Sequence, residues 1–253
     1  MWRGDYWFLL KNLILKDFRV RYRNMSLGMF WSLLNPLVMI GVWYFVFTKI
    51  FTNPIHHFGV FILCGIIPFN FFALAWSSST TSVVDSAGLI KRIAVPREVI
   101  PIASVFSNCL HVVIQVGLLL VFVLTTGVGV NVYWLFLPVI WALELVFICG
   151  CALLFSALNV YVRDTRYFVD SANLVLFWLV PIFYPFSQVP MRFKELYQYN
   201  PIAALVLAMR DIVIESRAPS AVLMTKLTLV SFLALGIGFW GFRKLKPRFY
   251  DYL

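Results

Sequence analysis

The sequence predicts an all-α integral membrane protein with six transmembrane helices, an N-terminal amphipathic interface helix and a re-entrant helix pair before the last span. Three observations predict it. Hydrophobic residues make up 62% of the 253 and charged residues only 13%, more apolar than a soluble domain allows. The apolar residues fall in long runs, and six spans of about 20 residues would use roughly half the chain, leaving no room for a sizeable soluble domain. The Lys and Arg residues sort by side: Lys49, Arg192, Lys194, Arg210, Arg217 and Lys226 fall on one face of the bilayer and the other fifteen of the 21 on the opposite face, which is therefore cytoplasmic. With an even number of spans both termini are cytoplasmic, and topology accounts for the net charge of +10 without any nucleic acid.

Residues 1–27 form an amphipathic interface segment. Trp7, Leu10, Ile14 and Phe18 recur at helical spacing among Lys11, Lys16, Asp17, Arg19, Arg21 and Arg23, as in a helix lying on the membrane surface or a solvated helix that only sets topology. The first span, roughly 28–50, carries Asn35-Pro36, which should kink it. The second, roughly 58–84, follows His56-His57, a loop pair with no further ligand at metal-binding spacing. Its run from Ser77 to Ser82 points all round a helix, so most of these hydroxyls should bond back to their own backbone. Leu89 to Pro101 is then a short charged loop in which Pro96 and Pro101 stop both flanking helices.

A third span, roughly 99–125, and a fourth, roughly 132–158, form an antiparallel hairpin about the Gly127–Asn131 turn. Tyr161 to Arg166 is a second charged loop, and the fifth span, about 168–187, should end irregularly, with Pro181, Pro185 and Pro190 within or after its end. In the segment 188–219 the apolar run 201–209 is too short to cross about 30 Å of hydrocarbon and fits a re-entrant or interfacial helix pair. The last span, 221–242, closes the membrane region 28–242 and leaves a cytoplasmic tail, 243–253, so residues 1–253 read as a single transmembrane domain. Cys64, Cys109, Cys149 and Cys151 all lie in apolar runs and read as small buried residues.

No phosphate-binding G-x-x-x-x-G-K-[ST], H-E-x-x-H or G-x-S-x-G occurs, so the chain is not read as an enzyme and has no catalytic or metal site of those kinds. Any nucleotide chemistry has to reside on another chain, acting through the cytoplasmic loops. Lys91, Arg92 and Arg97 are suited to charge-assisted contacts with an acidic surface, or are ordinary positive-inside charges. Ser104, Asn108, His111 and Gln115 share one helix face. His111 and Glu144 each lie about 18 Å along their helices, near midplane, where they would pair to hold the third and fourth spans together or line a proton or substrate path. Phe30, Trp31, Trp178, Phe183 and Tyr184 offer flat ring faces to a substrate or serve as interface belts, and Arg21 and Arg23 face a substrate's anionic headgroup or lipid phosphate.

Four motifs in order carry a resemblance: Arg21-Tyr22-Arg23 through Asn35-Pro36-Leu37, Leu89 through Pro101, Val162-Arg163-Asp164, and Asn200-Pro201 with Arg210 nearby. The chain resembles the type 2 family of ATP-binding-cassette exporter permeases, in the branch that exports polysaccharides and polyol phosphates such as O-antigen, capsule and teichoic acid. The resemblance implies a homodimer in the bacterial cytoplasmic (inner) membrane, paired with two copies of a nucleotide-binding ATPase subunit. ATP and Mg would sit on that partner, with no cofactor on this chain. The cargo implied is an undecaprenyl-linked glycan moved outward from the cytoplasmic side. Leu89, Ile90, Lys91 and Arg92, with Arg97 and Glu98, would couple to the ATPase beside the helix at 5–23, and 188–219 would lie near the outer mouth. Two alternatives stand beside it: export of a drug or small lipid by the same fold, and a membrane enzyme acting on polyprenyl phosphate, for which Asp164 and Asp170 make a thin acidic cluster.

Overall fold

Every regular element of the computed structural model is helical among the residues it describes, which are 5–22, 34, 37–39, 41–42, 45–46, 49, 55, 57–92 and 95–253. The expected first span, with Asn35-Pro36, lies mostly outside them. Among the described residues, four helical stretches are long and apolar enough to cross a membrane: Phe58–Arg92, Val99–Thr126, Val132–Tyr161 and Ala221–Tyr252. The first of these is the hub. Of its most apolar window 83% is buried, against 22% for the last stretch. Helix α2 (Phe58–Asp85) therefore packs on protein on nearly all sides, while the other stretches keep broad apolar faces outward, as lipid or a partner requires.

Helix α1 (Tyr6–Tyr22) opens the chain, with the Asp5 carboxylate accepting from Trp7 N at 2.8 Å. Its packed face keeps Leu10 and Ile14 of the expected stripe and leaves out Trp7. Leu13 is buried and Leu9, Leu10 and Ile14 pack beside it, whereas Trp7 is 71% exposed. Leu10 and Ile14 are four residues apart and Leu9 and Leu13 run alongside them on the same face.

After α2, Ser86 makes a turn into the short α3 (Ala87–Arg92), and the chain re-enters through α4 (Val99–Ser107) and α5 (Cys109–Thr126). Pro101 does not stop a helix; it sits in the first turn of α4, where a missing N–H has no intrahelical partner to lose. The expected third span is interrupted at Asn108, whose amide donates to the Ser104 carbonyl at 2.7 Å and competes with the backbone there. Gly127 and Gly129, both at φ +76°, make the hairpin turn into α6 (Leu137–Tyr161).

Helix α7 (Thr165–Leu179) has 15 residues, about 22 Å, less than a span, and ends ahead of Pro181. Two short helices follow, α8 (Met191–Tyr199) and α9 (Pro201–Val213). Asn200 Oδ1 accepts from Ile202 N at 3.1 Å and starts α9. Nearly all of α9 is buried against α2, α6 and α10 (Ala221–Leu245). The backbones of α6 and α10 come into direct contact. A Cβ at Gly238 would overlap the Gly150 carbonyl, and one at Gly150 would overlap the Ala234 backbone, so only glycine lets these helices touch. The chain closes with α11 (Phe249–Tyr252).

Candidate coupling surface and intramembrane polar site

Helix α3 hangs from the C-terminal end of α2 by two hydrogen bonds, Leu89 N and Ile90 N both donating to the Ser86 carbonyl at 3.0 Å. Ile90 is 1% exposed and packs in the cluster that holds Val83, Val99, Ile100 and Phe249. Leu89 is half-buried beside it, and Lys91 and Arg92 are exposed. This is an apolar root under a dibasic tip, a shape that presents charge outward while the helix stays fixed.

Arg97 and Glu98 behave differently from Lys91 and Arg92. Both are half-buried and turned toward the chain's own C-terminal residues, where Glu98 Oε2 pairs with Lys246 Nζ at 2.7 Å and Arg97 Nη1 donates to the Lys246 carbonyl at 2.7 Å. Burial of Glu98 works to raise its carboxyl pKa. The Lys246 hydrogen bond, with the charges of Lys246 and Arg243, outweighs that and leaves it below the ordinary carboxylate value.

Within the membrane region the hydroxyl run of α2 bonds back on itself as expected: Ser79 and Thr80 donate to the Trp76 carbonyl at 3.1 and 2.8 Å, and Ser82 to that of Ser79 at 2.7 Å. Ser77 and Ser78 do more. Asn108 Nδ2 donates to Ser78 Oγ at 3.0 Å, and Ser104 Oγ reaches the same oxygen at 3.4 Å, so part of the polar face of the third span is used to bind α4 to α2. Ser77 Oγ donates to Asp170 Oδ1 at 2.9 Å and accepts from Asn173 Nδ2 at 3.1 Å, binding α7 to α2. Glu144 is 1% exposed and its Oε1 has no hydrogen-bond partner, so the expected pairing with His111 is not a hydrogen bond to that oxygen. Gln115 is buried.

A match to the family described as ABC-2 type transporter runs over residues 9–214, most of the chain and all of the segment from α2 to α9. The chain belongs to the ABC-2 type transporter family. Among its relatives, the O-antigen export system permease protein RfbA of Klebsiella pneumoniae is 30% identical over 251 residues, 99% of this chain and 96% of that one. The protein of the same name from Myxococcus xanthus is 26% identical over 233 residues, 91% and 90% of the two chains. The polysialic acid transport protein KpsM of Escherichia coli is 24% identical over 231 residues, 89% of each.

In this ABC-2 permease the other expected residues separate by burial. Phe183 is in the core and packs edge-on to Phe177, with ring centroids 5.4 Å apart, while Trp178 is 66% exposed. Tyr184 is half-buried, its hydroxyl donating to the Leu179 carbonyl at 2.9 Å and meeting the Tyr197 hydroxyl at 3.1 Å. The Arg21 side chain and Arg23, Phe30 and Trp31 lie outside the described residues.

Sequence reasoning noted Arg210 as part of a motif and did not anticipate its role. It is 6% exposed, lies 3.5 Å from the Phe61 ring centroid, and donates to the carbonyls of Ile182 at 2.8 Å and Tyr184 at 3.4 Å. A cation directly after the nine-residue apolar run 201–209 was the available signal, because a buried charge has to find carbonyls or rings. Arg210 thereby pins the irregular chain after α7 to α9.

Proposed function

We propose that this ABC-2 permease is the transmembrane subunit of an ATP-driven exporter that moves a lipid-linked polysaccharide, of the O-antigen, capsule or teichoic-acid kind, outward across the bacterial inner membrane. The observation that supports it most is the full-length likeness to O-antigen export permeases, combined with a dibasic tip rooted on the buried Ile90. Export of a hydrophilic polymer needs a motor, and the chain offers that motor a small, rigidly held, positively charged contact at the end of its central helix. In this reading two permease chains pair, two ATPase subunits hold ATP and Mg, and the glycan rides on an undecaprenyl carrier. Residues 28–242 supply six spans, α8 and α9 act as re-entrant helices near the outer mouth, and both termini are cytoplasmic.

Exposed Trp178, with Phe30 and Trp31, offers rings for a sliding glycan, and Arg21 and Arg23 meet the pyrophosphate of the carrier. His111 and Glu144 hold α5 and α6 together. The test is reconstitution with the partner ATPase in vesicles, measuring nucleotide-dependent glycan translocation against translocation of small amphiphiles. Glycan transport alone supports the reading. Transport of small amphiphiles alone, or absence of any associating ATPase, refutes it. The double variant Lys91→Glu, Arg92→Glu should insert normally yet lose ATP-dependent export; unchanged export would remove the docking role.

A further inference from the structure

The last residues of the chain touch both cytoplasmic loops. On the α3 side, Lys246 pairs with Glu98, the Tyr250 hydroxyl donates to the Ile90 carbonyl at 3.3 Å, and the Arg97 guanidinium lies 4.2 Å from the Tyr250 ring centroid. On the α6–α7 side, the Tyr161 hydroxyl donates to the Leu245 carbonyl at 2.6 Å, Arg163 Nη2 donates to the Tyr252 carbonyl at 3.2 Å, and the Tyr161 and Tyr252 rings are 4.6 Å apart. Phe249 sits between the two sides, fully buried and edge-on to both Phe242 and Tyr161. Residues 246–253 lie beyond the 9–214 family match.

We infer that residues 246–253 are a strap that joins the two cytoplasmic loops into one body, so that a displacement received at Lys91 and Arg92 reaches α6 and α7 as well as α2 and α4. The inference rests on the proposed role of α3 as the ATPase contact. Helix α3 has only six residues, too few to be stable by itself, and is covalently continuous only with α2 and α4. A push on α3 has no covalent route to the α6–α7 loop except through the whole hairpin. The strap supplies a short route made of close-packed rings and hydrogen bonds, which resist compression and carry displacement. Arg97, Glu98, Lys246 and Tyr250 are in this account positioning residues, and the ATPase meets Lys91 and Arg92.

The experiment compares ATP turnover and glycan export in vesicles holding the permease with its ATPase, for Lys246→Gln, Tyr250→Phe, and the exchanged pair Glu98→Lys with Lys246→Glu. Tyr250→Phe keeps the ring beneath Arg97 and removes only the hydroxyl, so it carries the test if Lys246→Gln assembles poorly. Export per ATP should fall at least about five-fold in Lys246→Gln, the lower end of a typical coupling between sites, with ATP turnover little changed. The exchanged pair should recover export above that of Glu98→Lys alone. Full export per ATP in Lys246→Gln and Tyr250→Phe, while Lys91→Glu with Arg92→Glu uncouples, overturns the strap alone. Full coupling in the latter double variant overturns the contact role of α3 and the strap with it.

Discussion

Substituting Gly150 by alanine should separate α6 from α10. The added methyl would sit on the backbone of Ala234, and one at Gly238 would sit on the Gly150 carbonyl, far inside the spacing of about 3.5–4.0 Å at which carbon atoms rest in contact. Because the obstacle is backbone, no rotamer change relieves it. The helices have to part by roughly 1 Å, and a gap of that order forfeits up to about half of each dispersion contact along the crossing. Overpacking typically costs about 1–3 kcal/mol, and a backbone clash belongs at the upper end, so about 3 kcal/mol is expected for each substitution. At about 1.4 kcal/mol per tenfold, that is roughly two orders of magnitude in the folding equilibrium.

The two glycines share one contact, so the double variant should cost much less than the sum of the singles. Gly117 and Gly236 face open space where a Cβ would project and serve as controls, since replacing a helix-interior glycine by alanine in open space gains about 0.5–1 kcal/mol. Equilibrium unfolding of the purified protein in mixed micelles, followed by tryptophan fluorescence, measures all four. If Gly150→Ala and Gly238→Ala unfold like Gly236→Ala, the backbone contact between α6 and α10 is wrong.

Three further predictions follow from other contacts. Arg210→Ala leaves the Ile182 and Tyr184 carbonyls without their donor and should destabilise the fold by roughly 2–3 kcal/mol, given about 1.5–3 kcal/mol for a hydrogen bond to a charged group; Arg210→Lys should recover only part, and protease sensitivity within 180–190 would report the loss. The Glu98 carboxyl is held below its ordinary value, so the stability it contributes is present above the ordinary carboxylate pKa and is lost as pH falls through the lowered one. Hydrogen-exchange protection at 246–253, taken relative to the intrinsic amide rate at each pH, should therefore fall on acidification in the unaltered chain and lose that dependence in Glu98→Gln. A double-mutant cycle of Glu144→Gln and His111→Asn, read by unfolding free energy, should show a coupling term if α5 and α6 are held through these groups, and additive effects would dismiss the pairing.

Much of the architecture is legible along the chain because membrane insertion depends on local quantities. Run length and hydropathy marked the spans at 58–84, 132–158 and 221–242, and the Lys–Arg asymmetry indicates a side for each loop. The short apolar run 201–209 was legible as something other than a span, and its helix, Pro201–Val213, is indeed short and buried. Amphipathic phase was harder to read. In α1 the aromatic Trp7 drew the stripe toward itself, although an aromatic ring at a membrane surface gains as much from the interface as from a core.

The sequence by itself determined that this is a helical membrane protein with no motor motif of its own, and that its loops at 89–101 and 161–166 are charged. Those properties follow from composition and spacing, which need no knowledge of what folds against what. Only the tertiary structure decided which charges of a loop face outward. Lys91 and Arg92 stay exposed, while Glu98 turns in to Lys246, 148 residues along the chain. The same holds for Gly150 against Gly238, Ser77 against Asp170, and Arg210 against the carbonyls of Ile182 and Tyr184. In each case the partner is fixed by how rigid helices cross, and a one-dimensional pattern carries the face of a helix without the identity of what meets it.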